Sequence, residues 1–451
     1  MRRRLAAVLV LGALLATTRH PVASADDWPQ WMGPRRDGVW REAGVAAAIP
    51  AAGLPVRWRV PVKGGYSGPA VAGGRVYVTD YERREGELSN APNDRTQLQG
   101  VERVLCLDAA TGRLLWKHEQ DVPYSISYAA GPRCTPTVAD GKVYCLGAEG
   151  NLACLDAATG RPLWARDFKK DYAAPTPIWG FCGHPLVEGD SLICLVGGPG
   201  SIAVAFDRQT GKESWRALTA SESGYCPPTM IESAGVRQLL IWDADNLNSL
   251  APATGKPFWT QPLKPMYGMS IMAPQVADTP EGRVLFASGI GRVAALFKLD
   301  AARPAATLIW RGEPKSAVYC ANSTPFIEGG TLYGCDCDTG MLTAVDLATG
   351  GRLWETTAPT MGGGRRGKHG TAFLVRHASG GAGSTWIFSE TGDLILARLN
   401  PEKYEELGRM HLLDPTNECF GRDVVWSHPA FAGRCIFARN DRELVCVSAA
   451  E

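Results

Sequence analysis

The chain has no apolar run long enough to cross a bilayer. Its longest, Leu5 to Ala16, spans twelve residues, where a membrane helix needs roughly 20. No integral membrane segment is therefore expected once a leader is removed. It also lacks an excess of either charge. The 47 basic and 46 acidic residues leave a formal +1, and without a basic surplus there is no electrostatic footprint for nucleic acid. Its 13 cysteines include no Cys-x-x-Cys-His, which excludes covalent haem attachment of the c type. No metal site is read. His184, His369 and His428 are joined by no ligand-spacing motif. Asp336-Cys337-Asp338-Thr339-Gly340 starts like a calcium loop, but it has no distal Glu in register and stands where a hairpin turn is expected.

What is present begins with a leader. Met1-Arg2-Arg3-Arg4 is basic, Leu5 to Ala16 is apolar, and Ala23-Ser24-Ala25 places small residues where a signal peptidase reads them. This three-part pattern marks residues 1–25 as a secretory signal peptide. No Cys follows the cleavage site, so no lipid anchor is expected there. Cleavage removes four arginines and takes the formal charge from +1 to −3. The mature chain is expected to be periplasmic or secreted.

One phrase then recurs about every 50 residues, a period typical of propellers. Asp108 leads through Thr111-Gly112 to Trp116, and Asp156 through Thr159-Gly160 to Trp164. Asp207 leads to Trp215 and Asp346 to Trp354. Trp259 ends a copy that has lost its Asp. Asp300 to Trp310 and Asn400-Pro401 to Gly408 are degenerate copies. The Asp-x-x-Thr-Gly segment is a turn: the Asp side chain bonds to nearby backbone and Gly takes positive φ. The Trp is expected to cover apolar surface between neighbouring units. A strand opening precedes each copy, at Pro69, Pro136, Pro185, Pro228, Pro274, Pro325, Ala372 and Pro429. Proline is tolerated at the first residue of a strand, where no ladder donor is required. Each unit thus reads as four strands.

The ends explain closure. After Pro429 the chain supplies three strands and stops. The missing outer strand lies at the other end, at Val56 to Val60. A unit shared by both termini leaves few open sheet edges. The expected fold is all-β, a single eight-bladed β-propeller over residues 26–451.

The repeat resembles the PQQ-like repeat of quinoprotein dehydrogenases and of the outer-membrane assembly factor BamB. The opening Asp27-Trp28-Pro29-Gln30-Trp31-Met32-Gly33-Pro34 and the ending from Trp426 to Asp441 resemble secreted bacterial proteins of that repeat family. Two functions are implied. One is a binding or scaffolding propeller with an extracytoplasmic protein or a small anionic ligand as partner. The other is a PQQ-dependent or other oxidoreductase working in the central channel. Quinoprotein dehydrogenases place PQQ under a ring of two adjacent cysteines beside calcium. This chain has no adjacent pair; Cys335 and Cys337 come nearest. The residues therefore favour the binding module, with no cofactor assigned.

The candidate site is the channel mouth, since the loops ahead of all inner strands open on one face. The candidates are Arg133, Trp179, His184, Tyr225, Asn322, Arg365, Arg366, Lys368, His369, Trp426 and His428, with Tyr66, Tyr267 and Tyr319 alongside. Aromatic walls with a few polar groups suit a ligand pocket. The Gly-rich basic stretch Gly362 to His369 suits a carboxylate, phosphate or sulfate. No catalytic residue is identified. Cys106, Cys154 and Cys446 share one repeat position and read as small buried hydrophobes. Cys145 and Cys154 flank one hairpin, and a tight turn at Glu149-Gly150 would set them opposite each other within disulfide reach.

Overall fold

The computed structural model describes residues 26–364 and 366–451. The export segment read at 1–25 and the candidate Arg365 lie outside the described residues. Eight antiparallel four-stranded blades form the chain, seven of them running inner to outer in chain order and the eighth taking its outer strand from the N-terminal side. The first comprises Ala70–Ala72, Arg75–Glu85, Thr96–Asp108 and Leu114–Asp121. The sixth comprises Phe326–Glu328, Thr331–Asp336, Met341–Asp346 and Arg352–Thr356. The architecture is the eight-bladed β-propeller that the repeat implied. No described helix is long and apolar enough to cross a membrane.

The repeat phrase explains how blades hold one another. In the turn, Asp108 Oδ1 accepts from Thr111 N at 2.9 Å and Thr111 Oγ1 at 2.7 Å. Asp156 and Asp207 do the same for Thr159 and Thr210. The Trp of one blade donates its indole N–H to the turn of the next: Trp116 to Ala157 O at 3.1 Å, Trp164 to Arg208 O at 3.2 Å, Trp354 to Asn400 O at 2.8 Å. The ring packs on the turn glycine. A Cβ at Gly160, whose φ is +74°, would sit 2.5 Å from the Trp116 ring. Glycine there serves both the left-handed backbone and the close approach of the indole.

Two copies depart from this pattern for visible reasons. Trp259, in the copy without Asp, donates to Gln238 Oε1 at 3.1 Å within its own blade. Gly408 stands where the seventh Trp would be, and a Cβ there would meet Ile49 O at 2.9 Å. The N-terminal chain occupies that flank on its way to the eighth blade.

Closure follows the expected pairing. Val56–Pro61 is the outer strand of the blade formed by Ala430–Ala432, Cys435–Arg439 and Glu443–Ser448. Val60 pairs with Leu444, Arg59 with Val445 and Trp58 with Cys446. Trp58 completes the interblade series by donating to Ala109 O at 3.0 Å.

The hairpin carrying Cys145 and Cys154 corrects the sequence reading. The turn takes three residues, Ala148 to Gly150, closed by Gly147 N bonded to Asn151 O at 2.8 Å. That register sets Cys145 opposite Ala153 and Cys154 opposite Tyr144. Successive strand residues face opposite sides of a sheet. Cys145 therefore packs with Tyr77 and Cys106 on one face, and Cys154 with Phe206 and Cys194 on the other. No bridge joins them, and both are free thiols. Cys106, Cys154 and Cys446 are each fully buried. Asp336 does open a hairpin turn, and its second oxygen is held by Arg352 at 2.8 Å.

Ahead of the first blade, the chain crosses the channel as a strap. Trp28 pairs with Val71 of the first inner strand. Pro29 O accepts from Val138 N of the second at 2.8 Å. Arg36 donates to His184 O and Pro185 O of the third at 3.1 and 2.9 Å. Val39–Trp40 then lies parallel to the inner strand of the seventh blade, opposite Arg376 and His377.

Candidate functional site

The strap turns the channel into a blind cavity of about 400 Å³. Trp31 is its floor. The indole stacks on His184 with centroids 4.9 Å apart and 11° between planes, and meets His428 edge-on at 5.9 Å. The walls come from the loops ahead of all eight inner strands: Tyr66, Arg133, Trp179 with Cys182 and His184, Tyr225, Tyr267 with Met269 and Met272, Asn322, Lys368 with His369, and Trp426 with His428. Strands that are all innermost and all run the same way must open their leading loops on one face. That topology gathers residues as far apart as Tyr66 and His428.

Two insertions cover the mouth. In the first blade the second and third strands are 11 and 13 residues long. Their extensions carry the loop between them over the opening, so Pro92 and Asn93 line the cavity. Trp179 donates to Pro92 O at 3.1 Å. The second insertion is a small hairpin, Asn417–Cys419 with Arg422–Val424, between the last two blades. Its tip residue Phe420 stacks on His369 at 4.7 Å and 6°. Asn90 ties the two insertions together, donating to Asn417 Oδ1 at 2.6 Å and Glu418 O at 2.8 Å.

The electrostatics are one-sided. No lining residue is Asp or Glu, while Arg133 and Lys368 are both present. The Arg133 guanidinium donates to Gly131 O, to Ser127 O at 2.8 Å and to Tyr128 O at 2.6 Å, and lies 5.1 Å from the Tyr66 ring centroid. All its hydrogen bonds to described residues are to carbonyls, and none is to a carboxylate. The histidines are neutral. Burial pushes His428 down to about 3. Burial, then the Arg422 charge, brings His369 to about 4. Burial, His428 and Arg36 hold His184 well below the usual range. Its Nδ1 accepts from Thr135 N at 2.9 Å. The Cys182 thiol is pushed up to about 11 by burial. Several polar atoms of the lining are buried without a hydrogen-bond partner among the described residues: Trp31 Nε1, the Tyr225 hydroxyl and Asn322 Nδ2. Such groups are costly to leave unpaired, and their clustering in one cavity points to a ligand.

Most sequence candidates meet here, with exceptions. Arg366 is outside the lining, exposed and 3.8 Å from Glu355. Its position on a loop of consecutive glycines lets it swing to the outer carboxylate. Tyr319 is fully buried and donates to Glu313 O at 2.6 Å. Sequence reasoning missed Trp31 and Phe420, because both sit on segments outside the repeat. The signal available was their aromatic character next to loop glycines, Gly33 and Gly421.

The calcium-held quinone implied by the repeat resemblance does not fit this donor set. Calcium needs several hard oxygen ligands, carboxylates above all, and the lining holds no carboxylate among the described residues. Glu390, which reaches Trp426 Nε1 at 3.1 Å, has its oxygens taken by Thr371 N and Arg422. Cys182 is the one cysteine among the lining residues.

Residues 100–356 and 243–451 match the family model described as outer membrane protein assembly factor BamB. A stretch of 135 residues is 33% identical to the quinohemoprotein alcohol dehydrogenase ADH-IIG of Pseudomonas putida, covering 28% of this chain and 18% of that protein. The match thus spans under a fifth of that relative's length. In fold the chain is similar to BamB from Moraxella catarrhalis, with TM-score 0.52, 16% identity, and 82% of this chain and 98% of that one covered. It is also similar to the quinohemoprotein alcohol dehydrogenase of Comamonas testosteroni, with TM-score 0.62, 13% identity, and 94% and 80% covered. At such identities these two likenesses speak for the fold alone.

Proposed function

The chain belongs to the PQQ-like repeat family whose model is described as outer membrane protein assembly factor BamB, and from that premise we propose that it is an extracytoplasmic binding module whose ligand is a small organic anion with a planar ring, held in the channel-mouth cavity. The observation that carries this reading is the lining itself: aromatic walls, two cationic side chains, no carboxylate and unpaired N–H donors around one blind volume. Aromatic faces from Trp179, Tyr225 and Trp426 suit a flat apolar body. Trp31 Nε1 and Asn322 Nδ2 suit its acceptor atoms. Arg133 and Lys368 supply positive potential in a site partly screened from water.

Three lining tryptophans make intrinsic fluorescence a direct readout. A titration with an aromatic carboxylate, PQQ without calcium, an aromatic ammonium compound and a neutral sugar tests the charge preference. The anions are expected to bind and the ammonium compound not to. Lys368→Ala should weaken anion binding about tenfold, as loss of one nearby unit charge would. Equal binding of anion and ammonium compound, or no effect of Lys368→Ala, overturns the reading. Dye-linked alcohol oxidation on adding PQQ and calcium would favour an oxidoreductase instead.

A further inference from the structure

The strap that floors the cavity is a loop whose two ends meet. The main-chain nitrogen of Asp26 lies 3.1 Å from Glu42 Oε1. Glu42 is 8% exposed. Its other oxygen accepts from Trp40 Nε1 and from Arg434 N, both at 2.8 Å. Its main-chain carbonyl is bonded to His377 Nε2 at 3.0 Å. No lysine or arginine side chain among the described residues forms an ion pair with it. A buried carboxylate satisfied by neutral donors alone is an unusual arrangement, because burying a charge favours a partner of opposite sign.

Asp26 is also the residue that follows Ala23-Ser24-Ala25, the small-residue pattern of a signal peptidase site. We propose that hydrolysis of the Ala25–Asp26 peptide bond creates the missing partner: the α-ammonium group of Asp26, formed in the grip of the Glu42 carboxylate. Water adds across the amide, Ala25 leaves as a carboxylate and Asp26 keeps its nitrogen as an amine. That amine takes up a proton, since α-amino groups titrate near ~8. A hydrogen bond in which only the carboxylate is charged becomes an ion pair in which donor and acceptor both are. The strap from Asp26 to Glu42, with Trp31 at its centre, is then pinned at both ends. Processing of the leader thereby locks the cavity floor. This rests on the export reading but not on the identity of any ligand.

The test uses the full chain exported from its own leader. Intact mass is expected to give a first residue of Asp26; a different first residue overturns the proposal. Competitive acylation against pH then measures the α-amine itself. The titratable and charged groups around it are the Glu42 carboxylate that it meets, its own side-chain carboxylate and that of Asp27, and, against Glu42, His377, Arg434 and Cys435. A pKa about one unit above the ordinary α-amino value is expected in the native protein. It should return to within a few tenths of that value in Glu42→Gln. Because Glu42→Gln still accepts from Trp40 and Arg434, it is expected to fold. A second variant with two residues inserted before Asp26 keeps every side chain and displaces only the ammonium group. It should titrate like the unfolded chain. If the native protein, Glu42→Gln and the extended variant titrate alike, there is no ion pair and the proposal fails. Each of these outcomes leaves the ligand reading untouched.

Discussion

Replacing Trp58 by alanine tests whether the two chain ends lock the ring. Trp58 is 8% exposed on the only outer strand supplied from the N-terminal side. Its ring lies 5.9 Å from that of Phe437 and presses on Gly112, where a Cβ would come within 2.8 Å. Removing a buried indole costs about 3–5 kcal/mol through lost transfer energy and the cavity left behind. Trp58→Phe keeps most of the apolar contact and removes the donor to Ala109 O. Because that carbonyl is partly exposed, the cost should be near the low end of about 0.5–1.5 kcal/mol. Trp354 makes the same interblade bond inside the ring, at 2.8 Å to Asn400 O, so Trp354→Phe should cost a similar amount. Trp259→Phe should cost less, because Gln238 Oε1 keeps its bond from Ser249 Oγ at 2.7 Å. The assay is urea unfolding followed by fluorescence. If refolding is incomplete, unfolding half-lives should give the same ranking. A Trp58→Ala protein within about 1 kcal/mol of wild type would refute the argument that this indole carries closure.

The turn glycines separate backbone strain from steric clash. Gly141 (φ +73°) has open space at its Cβ position and Gly160 does not, so Gly141→Ala should cost about 1 kcal/mol and Gly160→Ala clearly more; equal losses would remove the clash from the account. Stability should be greatest above pH ~6.5 and fall as the pH drops, because His184, His369 and His428 titrate below the unfolded value: the unfolded chain takes up protons that the folded one does not. An acid-unfolding curve flat from pH 7 to 4 would contradict this. Cys182 should be the first thiol alkylated in the native protein, being the one half-buried cysteine among twelve buried ones. Its rate should climb toward a thiol value of about 11, since the thiolate is the nucleophile; a plateau near pH 8.5 would be inconsistent. Cys145 and Cys154 should stay unbridged under mild oxidation, as peptide mass mapping would show.

What was legible in the sequence is what repeats. Asp108, Thr111, Gly112 and Trp116 act through neighbours a few residues away or through the same position one blade on. Their spacing therefore records the contact. The shared blade was legible for a related reason: three strands without a fourth at one end, and a fourth without its three at the other, admit one closed solution. The single residue of register that separates Cys145 from facing Cys154 was not legible. It depends on whether the turn takes two residues or three, and Glu149-Gly150 is compatible with either.

The strand pattern by itself determined the propeller, its blade count and the face on which the loops open, because these follow from local periodicity and chain direction. Only the tertiary structure decided what that face contains. Trp31 reaches the channel on a strap that no repeat describes. Phe420 covers His369 from a hairpin between blades, and Arg366 turns outward to Glu355. The burial that keeps His184 and His428 neutral exists only once the strap is in place. Contacts between residues hundreds of positions apart leave no spacing to read. Whether a side chain points into a cavity or away from it is settled by packing against partners that the local sequence does not contain.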